Sequence, residues 1–368
     1  MKKLLFFVIL IVSCNENSKE INDFISKKDK NFGNITLSKV RTIALESSYN
    51  SSIGAPLYSV EFNSRGDMYF FDTIKNNFLV YKENGEFIES FGRTGRGPIE
   101  FQLVYGFTVD AENNLYVYDD AQRQIKMFDN EFQLLQILDV DNTQFFISSH
   151  DIKVVNDEVF FGIIDAMVVG SDWDNKQLIQ SPPIMIAKID TLSSTKFVGT
   201  YDPYLNTINS VYNRPLFDID TEKNTILVSH QNSYRFQEYD LKDRKRVAYF
   251  GYKDVTFGEG LAKTRKGESK QSRISKTMSE SSNEKVFYTN NFIGSFYING
   301  TEKWFDSRDL SDLKYYLAIY SRDEYELKSV FSMEHRLIGV YKEELYFIEN
   351  EDPDHFQIGI YNLSHASK

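Results

Sequence analysis

Three features of this chain predict an all-β fold. Aromatic residues make up 15% of its 368 positions, including 30 Phe and 23 Tyr, and flat rings suit a pleated, half-buried strand surface. Short runs of alternating apolar residues are separated by clusters of Asn, Asp, Glu and Gly, which is turn chemistry. One pattern of four such runs then recurs six times. Only seven prolines and 19 glycines argue against a fibrous or disordered chain.

The unit is clearest in GFTVDAENNLYVYDDAQRQIKMFDNEFQLLQIL, where strands are expected at 105–110, 115–119, 124–129 and 132–138. Second strands are expected at MYFFD (68–72), LYVYD (115–119), VFFGI (159–163), ILVSH (226–230), VFYTN (286–290) and LYFIE (345–349). Third strands follow at 77–82, 124–129, 184–190, 235–240, 315–320 and 357–362. First strands precede at 57–62, 106–110, 151–155, 216–220, 275–280 (SKTMSE) and 336–341. A fourth strand completes every unit except the last, and VRTIALE (40–46), just before unit one, supplies the missing one. Six four-stranded antiparallel units closed by an N-terminal strand describe a six-bladed β-propeller over residues 35–368. Two sets of connections share one face of such a ring, here termed the top: fourth strand to next first strand, and second strand to third. Insertions on that face are expected at 164–183, 252–273 and 291–314.

The first residues, MKKLLFFVILIVSC, read as a leader rather than as part of the fold. Lys2 and Lys3 precede an apolar run, Leu4 to Val12, that is too short to span a bilayer. Ile11-Val12-Ser13-Cys14 resembles the bacterial lipobox, in which signal peptidase II cuts before a cysteine that carries lipid. Cys14 is the only cysteine, so the fold has no intrachain disulfide. The expected organisation is a signal peptide over 1–13, a polar tether over 14–34 and then the propeller. Loss of Lys2 and Lys3 leaves 40 basic against 53 acidic residues, a formal charge of about −13. Such a surface cannot displace phosphate counterions, which excludes nucleic acid as a partner.

Two stretches carry a family resemblance. GDMYFFDTIKNNFLVYKENGEFIESFG looks like an NHL-type blade. FGRTGRGPIEF (91–101) resembles the FGxxGxGPGEF connector of the six-bladed propeller lipoproteins common in Bacteroidetes, a TolB-like group. Ile99 stands where that family usually has Gly. The blade resemblance covers about residues 35–363 and the connector occurs once. It implies the fold and an envelope location, as an outer-membrane lipoprotein on the periplasmic or surface side, and assigns no activity.

The connector raises the question of a phosphate site, with three glycines and two arginines in eleven residues. It lacks GxxxxGK[ST], and no helix follows to aim its amides at an anion. Its glycines are read as permitting a sharp crossing between blades. Arg93 and Arg96 are then either forks for a ligand carboxylate or phosphate, or surface and inter-blade ion pairs. Alignment of the second strands brings Asp72, Asp119, Ile163, His230, Asn290 and Glu349 to one level. Asp72 and Asp119 read as caps of the following turn. Asp72, Asp119, Asn290 and Glu349 also resemble the oxygen-ligand site of gluconolactonase-type propellers, which take Ca²⁺. His150, His230 and His335 are expected on the top face, where a catalytic reading would resemble amidating-lyase propellers. The absence of HxxxH, HExxH and GxSxG removes the usual zinc and serine-nucleophile signatures.

Both tryptophans, Trp173 and Trp304, fall in the expected insertions, and Tyr204 lies in a Tyr- and Asn-rich connection. Exposed aromatics on a loop face either anchor the loop or bind something. The sequence therefore favours a non-catalytic, lipid-anchored binding module without cofactor. It would use Arg93, Arg96, Trp173, Tyr204 and Trp304 to hold a peptide, glycan or partner protein. The alternatives are a cation-dependent hydrolase or lyase and a structural envelope subunit. Replacing Cys14 with Ala should move the protein from the membrane to the soluble fraction; undiminished metabolic lipid labelling of the variant would overturn the anchor.

Overall fold

The computed structural model describes residues 24–48, 51–56, 59–141, 145–165, 181–192, 195–202, 214–258, 269, 271–272 and 280–366. Two strands precede the blades, β1 (Phe24–Ile25) and β2 (Ile35–Ala44). Blade one contains β3 (Glu61–Phe62), β4 (Met68–Asp72), β5 (Asn77–Tyr81) and β6 (Phe87–Phe91). Blade two contains β7 (Val104–Val109), β8 (Leu115–Asp119), β9 (Gln124–Phe128) and β10 (Leu134–Asp139). Blade three contains β11 (Phe145–Val155), β12 (Glu158–Asp165), β13 (Ile184–Lys188) and β14 (Lys196–Val198). Blade four contains β15 (Pro215–Asp220), β16 (Thr225–His230), β17 (Phe236–Asp240) and β18 (Arg246–Phe250). Blade five contains β19 (Ser281–Tyr288), β20 (Phe292–Asn299), β21 (Lys314–Ser321) and β22 (Leu327–Met333). Blade six contains β23 (Arg336–Tyr341), β24 (Glu344–Asn350) and β25 (Gln357–His365). Its fourth strand is β2, antiparallel to β25 from Ile35↔His365 to Ala44↔Gln357. The chain is a six-bladed β-propeller closed by its N-terminal strand.

The aromatic-rich second strands are the key to its stability. Every side chain of β4 and of β8 is buried, on both faces of the strand, because each blade is sandwiched between two others. Alternation then divides the residues between neighbours. Met68 and Phe70 join Ile43, Tyr346 and Ile358 in the gap between blades six and one. Tyr69 and Phe71 face the other way, towards Phe101 of the connector and Phe107 and Val117 of blade two. Similar apolar clusters fill the remaining four gaps. Full burial of one such side chain is worth about 1.5–3 kcal/mol, and the ring repeats it at each gap. Near the axis the first strands approach so closely that two positions require glycine. A Cβ on Gly106 would lie 2.4 Å from the His150 carbonyl oxygen, and one on Gly339 would lie 2.5 Å from a Val60 methyl.

Three readings from sequence need correction. The VFY of VFYTN ends β19, the first strand of blade five, its Thr289 and Asn290 enter the turn, and the second strand is β20, in the stretch read as insertion. SKTMSE is therefore not the first strand; 275–279 lie outside the described residues. The Gly and Ser of FIGSFYIN broke the apolar alternation, yet Gly294 is the position over which the Phe287 ring lies. What remains of the 291–314 insertion is a short helix, α1 (Glu302–Ser307), on the β20–β21 connection. Residues 24–34 are not tether. β1 adds in parallel to the outer edge of β18, and the main chain of Lys27, Asp29 and Gly33 hydrogen-bonds to Leu327 and Lys328 of β22. Finally, the closing strand is β2 at 35–44 rather than 40–46.

Away from the top face, blades four and five are joined by a buried ion pair, Arg322 Nη2 to Asp220 Oδ2 at 2.5 Å. Arg322 also donates to the Thr289 carbonyl at 3.1 Å. Burial pushes the Asp220 carboxyl up, but main-chain N–H groups and the Arg322 guanidinium outweigh it and hold the group below its ordinary value. A depressed carboxyl stabilises the fold above its unfolded pKa and loses that contribution as pH falls through the folded one. Arg322→Ala should cost about 3–5 kcal/mol, since it leaves the partner charge buried. It should also blunt the loss of stability below roughly pH 4; urea unfolding at neutral and acid pH measures both.

Candidate functional site

The connector 91–101 has the opposite polarity to a phosphate cradle. Its carbonyls, rather than its amides, converge on a charge, the fully buried Lys126 ammonium of β9. Lys126 Nζ donates to the Gly97 carbonyl at 3.0 Å and to that of Glu100, and stands 5.3 Å over the Phe101 ring. Burial lowers the Lys126 pKa, with the Asp119 and Glu100 charges acting against the shift. Phe101 anchors the loop in the gap between blades one and two. Gly92, at φ +91°, passes its ring so closely that a Cβ would lie 2.5 Å from it. Arg93 is paired with Glu100 inside the same loop at 2.9 Å, and is three-quarters exposed. Arg96 Nε donates to Gln102 at 3.2 Å.

The residues aligned at the ends of the second strands separate into different roles. Asp72 accepts from the main-chain N–H groups of Gly54 (2.7 Å), Ile74 (2.8 Å) and Lys75 (3.1 Å). Asp119 accepts from those of Gln102, Leu103 and Gln122, and from the Gln122 amide at 2.7 Å. Both carboxylates thereby tie the preceding connector to the following turn. Glu349 accepts from Lys39, Thr42 and Tyr361, on the outer strands of blade six. Burial raises its pKa, but these three donors outweigh it and hold the carboxyl below its usual range. Asn290 lies in the β19–β20 turn, on the face opposite the top, because the blade-five register differs from that expected. Among the described residues no three carboxylate or imidazole groups form a cluster suited to a metal ion.

The histidines are likewise apart in character. His230, at the end of β16, is buried against the Tyr201 ring at 4.7 Å. Neither of its nitrogens has a hydrogen-bond partner among the described residues, and burial lowers its pKa to about 4. His150 sits in the β11 bulge, its ring tilted against Tyr105 at 4.4 Å with Nδ1 2.7 Å from the Tyr105 carbonyl. Burial and the nearby Arg214 charge lower its pKa. His335 precedes β23, half-exposed on the top face. Trp304 is half-buried on α1, where Thr301 caps the helix by accepting from Trp304 N–H at 3.0 Å. The Arg308 guanidinium lies 4.8 Å over its ring. Trp173, Tyr204 and Cys14 lie outside the described residues.

The axis holds a set of charges that the strand-two alignment missed. The first strands of the blades surround it, and a cavity of about 50 Å³ there is lined by Glu61, Asp151, Lys153, Asp218 and Lys285, among others. Lys153 of blade three spans to Glu61 of blade one at 3.4 Å. Burial opposes the Lys153 ammonium, but Glu61, Asp218 and Asp151 outweigh it and raise its pKa above the ordinary lysine value. Burial raises the Asp218 carboxyl, against the pull of Lys153 and of the Tyr288 N–H, which donates at 2.9 Å. Above the cavity, a directed chain of hydrogen bonds crosses blades four and five. Arg214 Nε donates to Gln231 (3.2 Å), Gln231 Nε2 to Ser282 (2.9 Å), and Ser282 to Glu284 (2.9 Å). Burial raises the Glu284 carboxyl, with Arg214 and Arg336 opposing. The available signal was the polar residue within otherwise apolar first strands: VEF, DIKV, FDID and NEKV.

Fold and axial site together define a six-bladed propeller with a charged, narrow channel. Comparison agrees on the fold. Residues 12–190 match the DUF5128 family, described as a 6-bladed beta-propeller. The chain is similar to a DUF4221 family member from Bacteroides vulgatus, with 11% identity, a TM-score of 0.70, and coverage of 92% of this chain and 100% of that one. A candidate exported protein of Bacteroides fragilis gives 11% identity, a TM-score of 0.59 and coverage of 94% and 99%. A gluconolactonase from Xanthomonas campestris gives 11% identity, a TM-score of 0.50 and coverage of 89% and 99%. At such identities the likeness is one of fold. No curated protein matches the chain.

Asp119→Ala should leave several buried donors unsatisfied and cost roughly 3 kcal/mol or more. The check is the urea midpoint, with Arg93→Ala, which removes only an exposed pair, expected to shift it by less than about 1 kcal/mol.

Proposed function

We propose that this protein is a lipid-anchored, extracytoplasmic propeller that acts as a non-catalytic binding module, taking a peptide, glycan or partner protein on its top face. The observation that carries the reading is the disposition of its enzyme-like residues. Asp72 and Asp119 are saturated by main-chain N–H groups, Glu349 is engaged on the outer strands, and Asn290 occupies the opposite face. A cation-dependent hydrolase needs such oxygen ligands open and convergent. The chain is instead longest where a binder needs it. By sequence length the connections 166–183, 199–214 and 251–280 all belong to blades three to five, and α1, on the β20–β21 connection of blade five, carries Trp304. The fold likeness to a candidate exported protein supports an envelope location.

Contacts are assigned to Trp173, Tyr204 and Trp304 as aromatic platforms, and to Arg93 and Arg96 as forks at the rim. Screening the chain without its leader on glycan and peptide arrays should return saturable ligands, with Trp304→Ala weakening them about tenfold or more. A divalent metal retained through dialysis and required for turnover of a lactone or peptide-amide substrate would overturn the binding-module reading.

A further inference from the structure

We propose that Arg214, at the top mouth of the axial channel, is the anchoring residue of a carboxylate-binding subsite. This rests on the binding-module reading and specifies the ligand chemistry at the centre of the top face. The argument starts from an imbalance. A half-buried guanidinium is normally matched by a carboxylate, because removing an unpaired charge from water is costly. Arg322 and Arg41 follow that rule, with Asp220 at 2.5 Å and Glu344 at 2.7 Å. Arg214 is half-buried too, yet among the described residues no carboxylate lies within ion-pair distance of it. It donates to a neutral group, the Gln231 amide oxygen at 3.2 Å, and its charge acts on the nearby Tyr105 hydroxyl.

The surroundings hold this arrangement in place. Gln231 is fixed by Ser282, and Ser282 by Glu284, so the Glu284 carboxylate acts on Arg214 through space and through this chain without forming an ion pair with it. The Tyr105 hydroxyl donates to the Ser148 carbonyl at 3.2 Å. His150, beside Arg214, has its pKa lowered and adds no positive charge at neutral pH. Among the described residues one of the five guanidinium N–H groups is taken, by Gln231, and the paired Nη groups keep the planar fork geometry that fits a carboxylate. Pro215 follows immediately and opens β15, which fixes the backbone from which the side chain springs.

A carboxylate can come from a small organic acid or from the C-terminus of a peptide, and the test separates the two. The probes are succinate, a tripeptide with a free C-terminus, and the same tripeptide as its C-terminal amide. Binding is followed through the Arg214 Nε–Hε resonance in the ¹⁵N-labelled chain lacking its leader. The expected result is a saturable shift with succinate or the free tripeptide, none with the amide, and affinity about tenfold or more weaker in Arg214→Gln. Succinate alone would identify a small acid, and the tripeptide alone a chain terminus. Arg214→Lys keeps the charge without the fork and should bind with intermediate affinity; it serves as the folded comparison if the Gln variant has a lowered melting midpoint. Equal affinity of both variants and the parent, absence of a saturable shift with either carboxylate, or tighter binding of inorganic phosphate would overturn the proposal. Array ligands that bind Arg214→Gln undiminished would leave the binding module standing and remove only this subsite.

Discussion

The structure depends on one constraint: each blade is apolar on both faces and has no stable existence without two neighbours. Met68 and Phe70 on one side of β4, and Tyr69 and Phe71 on the other, are buried only because blade six and blade two both stand against blade one. A row of such blades would end in two exposed apolar faces, so the row has to close. Closure is made by β2, which is drawn from the start of the chain and pairs with β25 at its end. Joining the termini of the domain in one sheet places the ring seam inside a hydrogen-bonded ladder, which resists opening better than a contact of side chains alone.

Closure also explains why polar chemistry is confined to particular places. The gaps between blades admit few charges, and those present are satisfied internally, as Lys126 is by the connector carbonyls and Asp119 by main-chain donors. The axis is different. Six first strands converge there, their alternate side chains meet across a narrow space, and Glu61, Lys153, Asp218 and Lys285 neutralise one another around a small cavity. At the top ends of these strands Arg214 acts on Glu284 through space and, among the described residues, forms no ion pair with a carboxylate.

Much of the architecture was legible from residues because period-two alternation and turn chemistry are local. MYFFD, LYVYD and LYFIE name their strands outright, and VRTIALE marked the closing strand to within a few residues. Blade five was misread where glycine and serine interrupt the alternation: FIGSFYIN is a strand whose Gly294 makes room for Phe287, and no local pattern records a partner seven residues away. The N-terminal segment 24–34 has a tether's composition, yet β1 finds an unpaired edge on β18, and edge availability is a property of the finished sheet.

The candidate site was less legible for the same physical reason. The strand-two alignment failed in blade five, where Asn290 falls on the opposite face, and it could not say which carboxylates the backbone would already occupy. Asp72 and Asp119 look alike as ligands or as caps until the N–H groups of Gly54 and Gln102 are seen beside them. By itself the sequence determined the all-β class, the sixfold repeat, the source of the closing strand and the acidic surface, since all of these follow from composition and short-range periodicity. Tertiary structure alone decided what FGRTGRGPIEF does, which residues reach the axis, and that Arg214 bonds to an amide rather than a carboxylate, because each depends on groups that only the closed ring brings together.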